Sequence, residues 1–352
     1  MDQAARRDAE PRHAIQQQDL DSARSRALDF ENEISSAVVG QVRAVRLITI
    51  AVFARGHVLL EGDVGVGKTT LLRATARALG GAYERIEGTI DLMPSDMIYH
   101  TYIGEDGRPR VEPGPVLRYG SDLSIFFFNE INRARPQVHS LLLRLMAERS
   151  LTAFNKEHSF PHLLVFADRN RIEREETFEL PAAARDRFLM EIAIAAPDNE
   201  DVRRGLIFNT RYHDVDSLIG SVPEGVLDFR SMNALGAAIQ SNIKVSKAIE
   251  DYTLALWQAV RDPSKAGIVI AGVDTGRLVS GGASPRGMSY LIRAARVAAW
   301  LSGREMVVPD DIRDVFYECM AHRIFLEPVY EMRRDAIVRT LIAEVFKTVP
   351  AP

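Results

Sequence analysis

The sequence predicts an α/β protein: a three-layer αβα core on a mostly parallel sheet, followed by an all-α domain. Three observations lead there. From about residue 34 to residue 210, short apolar runs alternate with helical periodicities. A glycine-rich run at 62–69 sits between an apolar strand and a helical stretch, as strand–loop–helix units of such cores do. After Pro197-Asp198-Asn199-Glu200 the strand pattern fades, and from about Val222 the chain reads as helices only.

Taken in order, residues 1–27 are rich in Gln, Arg, Asp and Ala and show little apolar periodicity, which predicts a flexible N-terminal arm leading into a helix around Leu28–Val38. The αβα core is expected over 28–210, with strands at His57–Glu61, Leu123–Phe128, Leu163–Ala167 and Phe188–Ala195. Because Ser124–Phe128 is continuously apolar, it should be a central strand buried on both faces. The next helix opens at Pro136 and carries Val138, Leu141, Leu142, Leu145 and Met146 on one face. Two stretches break the rhythm and read as inserted hairpins: 92–117, with a turn at Glu105-Asp106-Gly107, and 151–160, with a turn near Asn155. A helical domain is expected over 220–352, with stripes at Val226, Phe229, Met232, Leu235, Ile239 and at Ile312, Val315, Phe316, Met320. Its glycine-rich stretch Ala266–Ser284 reads as an exposed loop.

Composition narrows the partners. With 352 residues, 46% of them hydrophobic, the chain can bury two cores; 44 basic against 48 acidic residues give a net charge of −4, and no basic stripe marks a nucleic-acid surface. The N-terminus lacks the apolar segment of a signal peptide. Leu47–Ala54 and Ser124–Phe128, the longest apolar runs, fall short of the about 20 residues of a membrane span, so none is expected. A single cysteine, Cys319, forms no intrachain disulfide, which fits the reducing cytoplasm; a small buried role in the last helix of the second domain is its expected use.

The chemistry lies in two motifs. Gly62-Asp63-Val64-Gly65-Val66-Gly67-Lys68-Thr69, followed by Thr70, matches G-x-x-x-x-G-K-[ST] in the required strand–loop–helix context. Such a loop points backbone N–H groups at phosphate oxygens, and the helix that follows adds its positive end. Lys68 should reach the β- and γ-phosphates of ATP, and the Thr69 hydroxyl should ligate Mg²⁺. The partner motif is an acidic pair ending a neighbouring buried strand, and here that strand ends in Asn129-Glu130. Glu130 is placed to polarise an attacking water; Asn129 stands at the metal position with an amide, which brings no charge.

These residues carry a resemblance. The chain resembles the MoxR-type AAA+ ATPases, and more distantly the motor subunit of magnesium chelatase, over nearly its whole length: in FFFNEINRARPQVHSLLLRLMAERSLTAF, LMPSD, EPGPVL, ELPAAARDRFLM and GASPRGMSYLIRAARVAAWLSGREMVVPDDI. The resemblance implies that Asn170 is the sensor-1 asparagine, that Arg187 is an arginine finger reaching into a neighbouring subunit, that Arg286 is the lid's sensor-2 arginine, and that Val39-Gly40-Gln41 lines the adenine pocket. It further implies a homo-oligomeric ring, expected to be a hexamer, working with a von Willebrand factor A-domain protein on a client metalloenzyme such as methanol dehydrogenase. Two departures stand out: Asn129 where the pattern has Asp, and Asp168-Arg169-Asn170-Arg171 where it has Thr-Gln-Asn-Pro. They leave open a nucleotide-dependent assembly switch with weak hydrolysis. Asp168 reads either as a loop carboxylate paired with Arg169 or Arg171 or as a source of the missing charge, and Arg185 competes with Arg187 as the finger. Tyr102 and Phe154, one on each hairpin, suit either pore contacts or ordinary packing.

Overall fold

The computed structural model of the chain describes residues 17–63, 65–169 and 178–352. In chain order, helices α1 (Gln17–Ala37) and α2 (Val42–Phe53) precede strand β1 (His57–Glu61) and helix α3 (Lys68–Leu79). Strand β2 (Ala82–Glu87), the short helix α4 (Pro94–Ile98), the hairpin β3 (Tyr99–Ile103) and β4 (Pro109–Pro113), and β5 (Leu123–Asn129) follow. Then come α5 (Pro136–Glu148), the hairpin β6 (Ser150–Ala153) and β7 (Lys156–Ser159), β8 (Leu164–Arg169), α6 (Ala182–Arg185) and β9 (Phe188–Ala193). The rest is α7 (Glu200–Phe208), α8 (Val215–Ser221), α9 (Met232–Asn242), α10 (Lys247–Arg261), β10 (Val279–Gly281), α11 (Pro285–Leu301), α12 (Pro309–Met320), β11 (Phe325–Leu326) and α13 (Arg334–Thr348).

Five strands pair parallel in the order β2-β5-β8-β1-β9. The alternation of side chains along them splits the apolar residues between two layers. Val58, Leu60, Ile125, Phe127, Leu164 and Phe166 join the core shared with α1, α2, α3 and the C-terminal helices. Leu59, Phe126, Phe128, Val165 and Ala167 face the smaller core under α5. Every residue of β5 is buried, the pattern of a strand covered on both faces. His57 clips the layers together: its Nδ1 accepts the Val165 N–H at 2.9 Å, so its Nε2 is the protonated nitrogen and bonds the Met146 carbonyl at 3.1 Å. Burial, reinforced by the nearby Arg149 charge, lowers its pKa to about 3 and keeps the ring neutral.

Several expectations need correction. Residues 17–27 are not an arm: they are the first half of α1, with Leu20, Ala23 and Ala27 buried in line with Phe30 and Ile34. That stripe has helical spacing, but two of its members are alanines, too weakly apolar to stand out among charged neighbours. The strand β2 went unrecognised because AYERIE is a half-exposed edge strand whose charged residues mask the alternation. The stretch 266–284 is only partly a loop, since Ile268, Leu278 and Ala283 are buried and β10 pairs antiparallel with β11. Those two short strands, of three and two residues, lie within an otherwise helical second half. Cys319 lies in α12, with α13 still to follow; it is fully buried, and that burial pushes its thiol up to about 12. No described helix is long and apolar enough to cross a membrane.

Helix α1 also ties the two halves of the chain: the Trp300 indole on α11 donates to the Leu20 carbonyl at 3.2 Å. Leu20→Ala should therefore cost about 3 kcal/mol of stability, as a fully buried leucine does. Urea unfolding followed by circular dichroism measures this; a loss below about 0.5 kcal/mol, typical of surface substitutions, would restore the arm.

Candidate functional site

The carboxyl ends of the parallel strands all open on one edge of the sheet, and the described residues of the glycine-rich loop gather there with Asn129 and Glu130. At the end of β1 the chain enters the loop at Gly62, where a Cβ would lie 2.2 Å from the Ile194 carbonyl oxygen, so only glycine fits. Gly67 is the N-cap of α3 in the left-handed conformation, φ 87°. Lys68 and Thr69 then open the helix, Asp63 is exposed, and Val64 lies outside the described residues. The Lys68 ammonium is buried; it donates to the Gly62 carbonyl at 2.8 Å and pairs with Asp168 Oδ2 at 2.8 Å.

Asp168 is thus not a loop carboxylate paired with its neighbours. It stands on β8, between the P-loop strand and β5, at 1% exposure. Its Oδ1 accepts the backbone N–H of Glu130 at 2.5 Å. Arg169, the expected partner, points the other way along the strand alternation and pairs with Glu191 at 2.7 Å and Glu61 at 3.1 Å. Arg171, like Asn170, lies outside the described residues.

On β5, Asn129 donates its amide to Glu87 Oε1 at 2.7 Å, leaving the amide oxygen as the atom it could offer a cation. Glu130 follows with φ 53° and ψ 49°, a conformation that costs a non-glycine residue about 1 kcal/mol and marks a site held by its surroundings. Its carboxylate is held by Arg133, 2.8 Å away.

Beside the loop lies a cavity of about 490 Å³. Val39, Gln41, Val66 and Thr70 form one side of it, and Leu206, Tyr212 and Leu218, which the sequence did not single out, form the other. Gln41 is fixed by a 2.7 Å bond to the Ala195 carbonyl, while Gly40 sits behind the wall against Pro197. An apolar pocket beside a phosphate-type cradle has the shape and chemistry of a nucleotide site. Of the residues expected at a divalent cation, Thr69 and Asn129 offer neutral donors, and the carboxylates beside Lys68 and Asn129 are Asp168 and Glu130.

A second cluster holds the other two predicted residues. Arg187, half-buried, bonds the Ala183 carbonyl at 2.9 Å, and its buried Nε has no protein partner among the described residues. Arg185 is instead a packing residue, 5.4 Å over the Phe325 ring and bonded to the Leu180 carbonyl at 3.1 Å. Arg286 pairs at 3.5 Å with Asp186, so the structure joins it to the segment containing Arg187. Asp186 also accepts the Ser284 hydroxyl at 2.9 Å and Arg323 Nε at 3.0 Å. Arg323, 1% exposed, is further bonded to the Asp186, Phe188, Leu189 and Cys319 carbonyls. Nothing in the sequence distinguished Arg323 from a surface arginine.

Residues 57–190 match the ATPase family associated with various cellular activities (AAA), and residues 274–341 match the AAA lid domain. The chain is 68% identical to Protein MoxR of Methylorubrum extorquens, across 94% of this chain and 96% of that one. It is 34% identical to Chaperone MoxR1 of Mycobacterium tuberculosis, across 91% and 81%. A crystal structure of a candidate ATPase from Cytophaga hutchinsonii superposes with a TM-score of 0.76 at 27% identity, covering 92% of this chain and 98% of the other.

Removing the Asp186 carboxylate strands a buried guanidinium. Asp186→Ala should lower the unfolding free energy by about 3 kcal/mol. Denaturant titration checks it, and a change under about 1 kcal/mol would show that the carbonyls alone satisfy Arg323.

Proposed function

Because the chain belongs to the MoxR family of AAA+ ATPases, we propose that it is a ring-forming, chaperone-like machine that hydrolyses ATP with Glu130 as the residue activating water. The observation that carries this reading is the meeting of Lys68, at the start of the helix that follows β1, with Asp168 and Glu130 at the ends of the adjacent strands β8 and β5, beside an apolar cavity. Backbone N–H groups of residues 65–69 and the Lys68 ammonium hold the phosphates, and the pocket beside Val39 and Gln41 takes the base. Mg²⁺, held at Thr69 with help from the Asn129 oxygen, would neutralise charge on the β- and γ-phosphates. Glu130 orients the attacking water once Arg133 releases it, and Asn170 is assigned to the same water or the γ-phosphate.

Arg187 completes the site of the adjacent subunit. Its Nε, without a partner among the described residues, supports this. Arg286 pairs with Asp186, the residue before Arg187 in the chain, which supports a link between the lid arginine and the finger. Resemblance to MoxR-type proteins supports a hexameric ring in the cytoplasm that partners a von Willebrand factor A-domain protein. Its work would be the maturation of a client metalloenzyme such as methanol dehydrogenase.

Phosphate release with Mg²⁺ tests the reading. Glu130→Gln should bind ATP yet turn over at least about 100-fold more slowly, and Arg187→Ala should lose about 10³-fold. Mixing the two variants should recover activity, because one subunit then supplies the glutamate and the other the arginine; no recovery argues against a finger acting in trans. A slow assembly switch is the second reading, favoured by the amide at 129. Asn129→Asp should then raise turnover about tenfold or more at similar ATP affinity, whereas an unchanged rate leaves hydrolysis limited elsewhere.

A further inference from the structure

Asp168 is a buried carboxylate whose two oxygens bridge the Lys68 ammonium at 2.8 Å and the Glu130 backbone N–H at 2.5 Å. Among the described residues, Lys68 is the only cation within ion-pair distance of it. Arg169 is engaged by Glu61 and Glu191, and Arg133 by Glu130. The lysine that must meet a phosphate is therefore already paired, and the residue pairing it stands one strand from an asparagine that carries no charge.

We propose that Asp168 is the carboxylate of the nucleotide site relocated from the end of β5 to the end of β8, holding Lys68 until a triphosphate displaces it and then making binding depend on a divalent cation. The inference rests on the ATP-binding reading above. A buried carboxylate that gives up its cation to a polyanion is left beside like charge, and a counter-charge must replace the one it lost. Mg²⁺ on the phosphates supplies that counter-charge. Lys68 cannot serve Asp168 and the phosphates fully at once, so affinity without the metal is held low, and the penalty is lifted when the metal is present. Asp168 acts as a positioning residue: it sets where Lys68 points and fixes the Glu130 backbone, without itself attacking or leaving.

The test is calorimetric ATP binding to the full chain in EDTA and in Mg²⁺, read as the dissociation constant in EDTA divided by that in Mg²⁺. Asp168→Asn should lower that ratio at least tenfold, chiefly by tightening binding in EDTA. Asp168→Thr keeps an acceptor for the Glu130 N–H without the charge; it should behave alike, and it serves if the asparagine variant misfolds. Asn129→Asp added to either variant should raise the ratio again. An unchanged ratio in Asp168→Asn and Asp168→Thr, with ATP still bound, would overturn the role of Asp168 and leave the ATPase reading standing, even if melting temperature fell. A ratio that Asn129→Asp fails to restore would also overturn the relocation. Wild-type protein that binds no ATP in Mg²⁺ would overturn both readings.

Discussion

All five strands of the central sheet run the same way, and that single constraint assembles the site. Parallel pairing puts every carboxyl end on one edge, so the loop after β1, the Asn129-Glu130 pair after β5 and Asp168 near the end of β8 become neighbours although they are far apart in sequence. Burial of the sheet on both faces fixes the register, since a slip of one residue would turn Phe126 and Phe128 into the wrong layer. The same alternation points Asp168 into the site and Arg169 to the glutamates of β1 and β9. Chemistry at the edge is inherited from packing in the middle.

Charge within the site is arranged by exchange rather than by accumulation. In the described arrangement Lys68 meets Asp168, Glu130 meets Arg133, and the Asn129 amide meets Glu87. Lys68 and Glu130, which a phosphate and a water would need, are each held by a protein partner that has to yield, while the Asn129 contact leaves its amide oxygen available. A site built this way stays neutral and compact without ligand, and its ligand must replace contacts rather than simply add them.

The join between sheet and lid follows similar logic. Asp186 receives Arg323, Ser284 and Arg286, three residues of the C-terminal half, and it directly precedes Arg187. A lid movement relative to β9 must either carry Asp186 with it or break a buried ion pair, so the position of Arg187 is mechanically tied to the lid. Trp300 on Leu20 adds a second tie through α1.

The sequence by itself determined the α/β class, four of the five sheet strands, both hairpins, the phosphate loop and the Glu130 candidate. Each of these is written locally, in a continuous apolar run, a turn signal or a glycine spacing that needs no distant partner to be read. It under-read α1 and β2, where alanines and charged edge residues blunt the periodicity. It left Asp168 between two readings, a partner of the arginines next to it in the chain or a source of the missing charge. Only the tertiary structure decided that Asp168 faces Lys68 from across 100 residues, that Arg323 is buried under Asp186, and that Arg286 joins the Arg187 segment. The reason is physical: a charged side chain finds its partner through strand order and layer packing, and neither is encoded in the residues beside it.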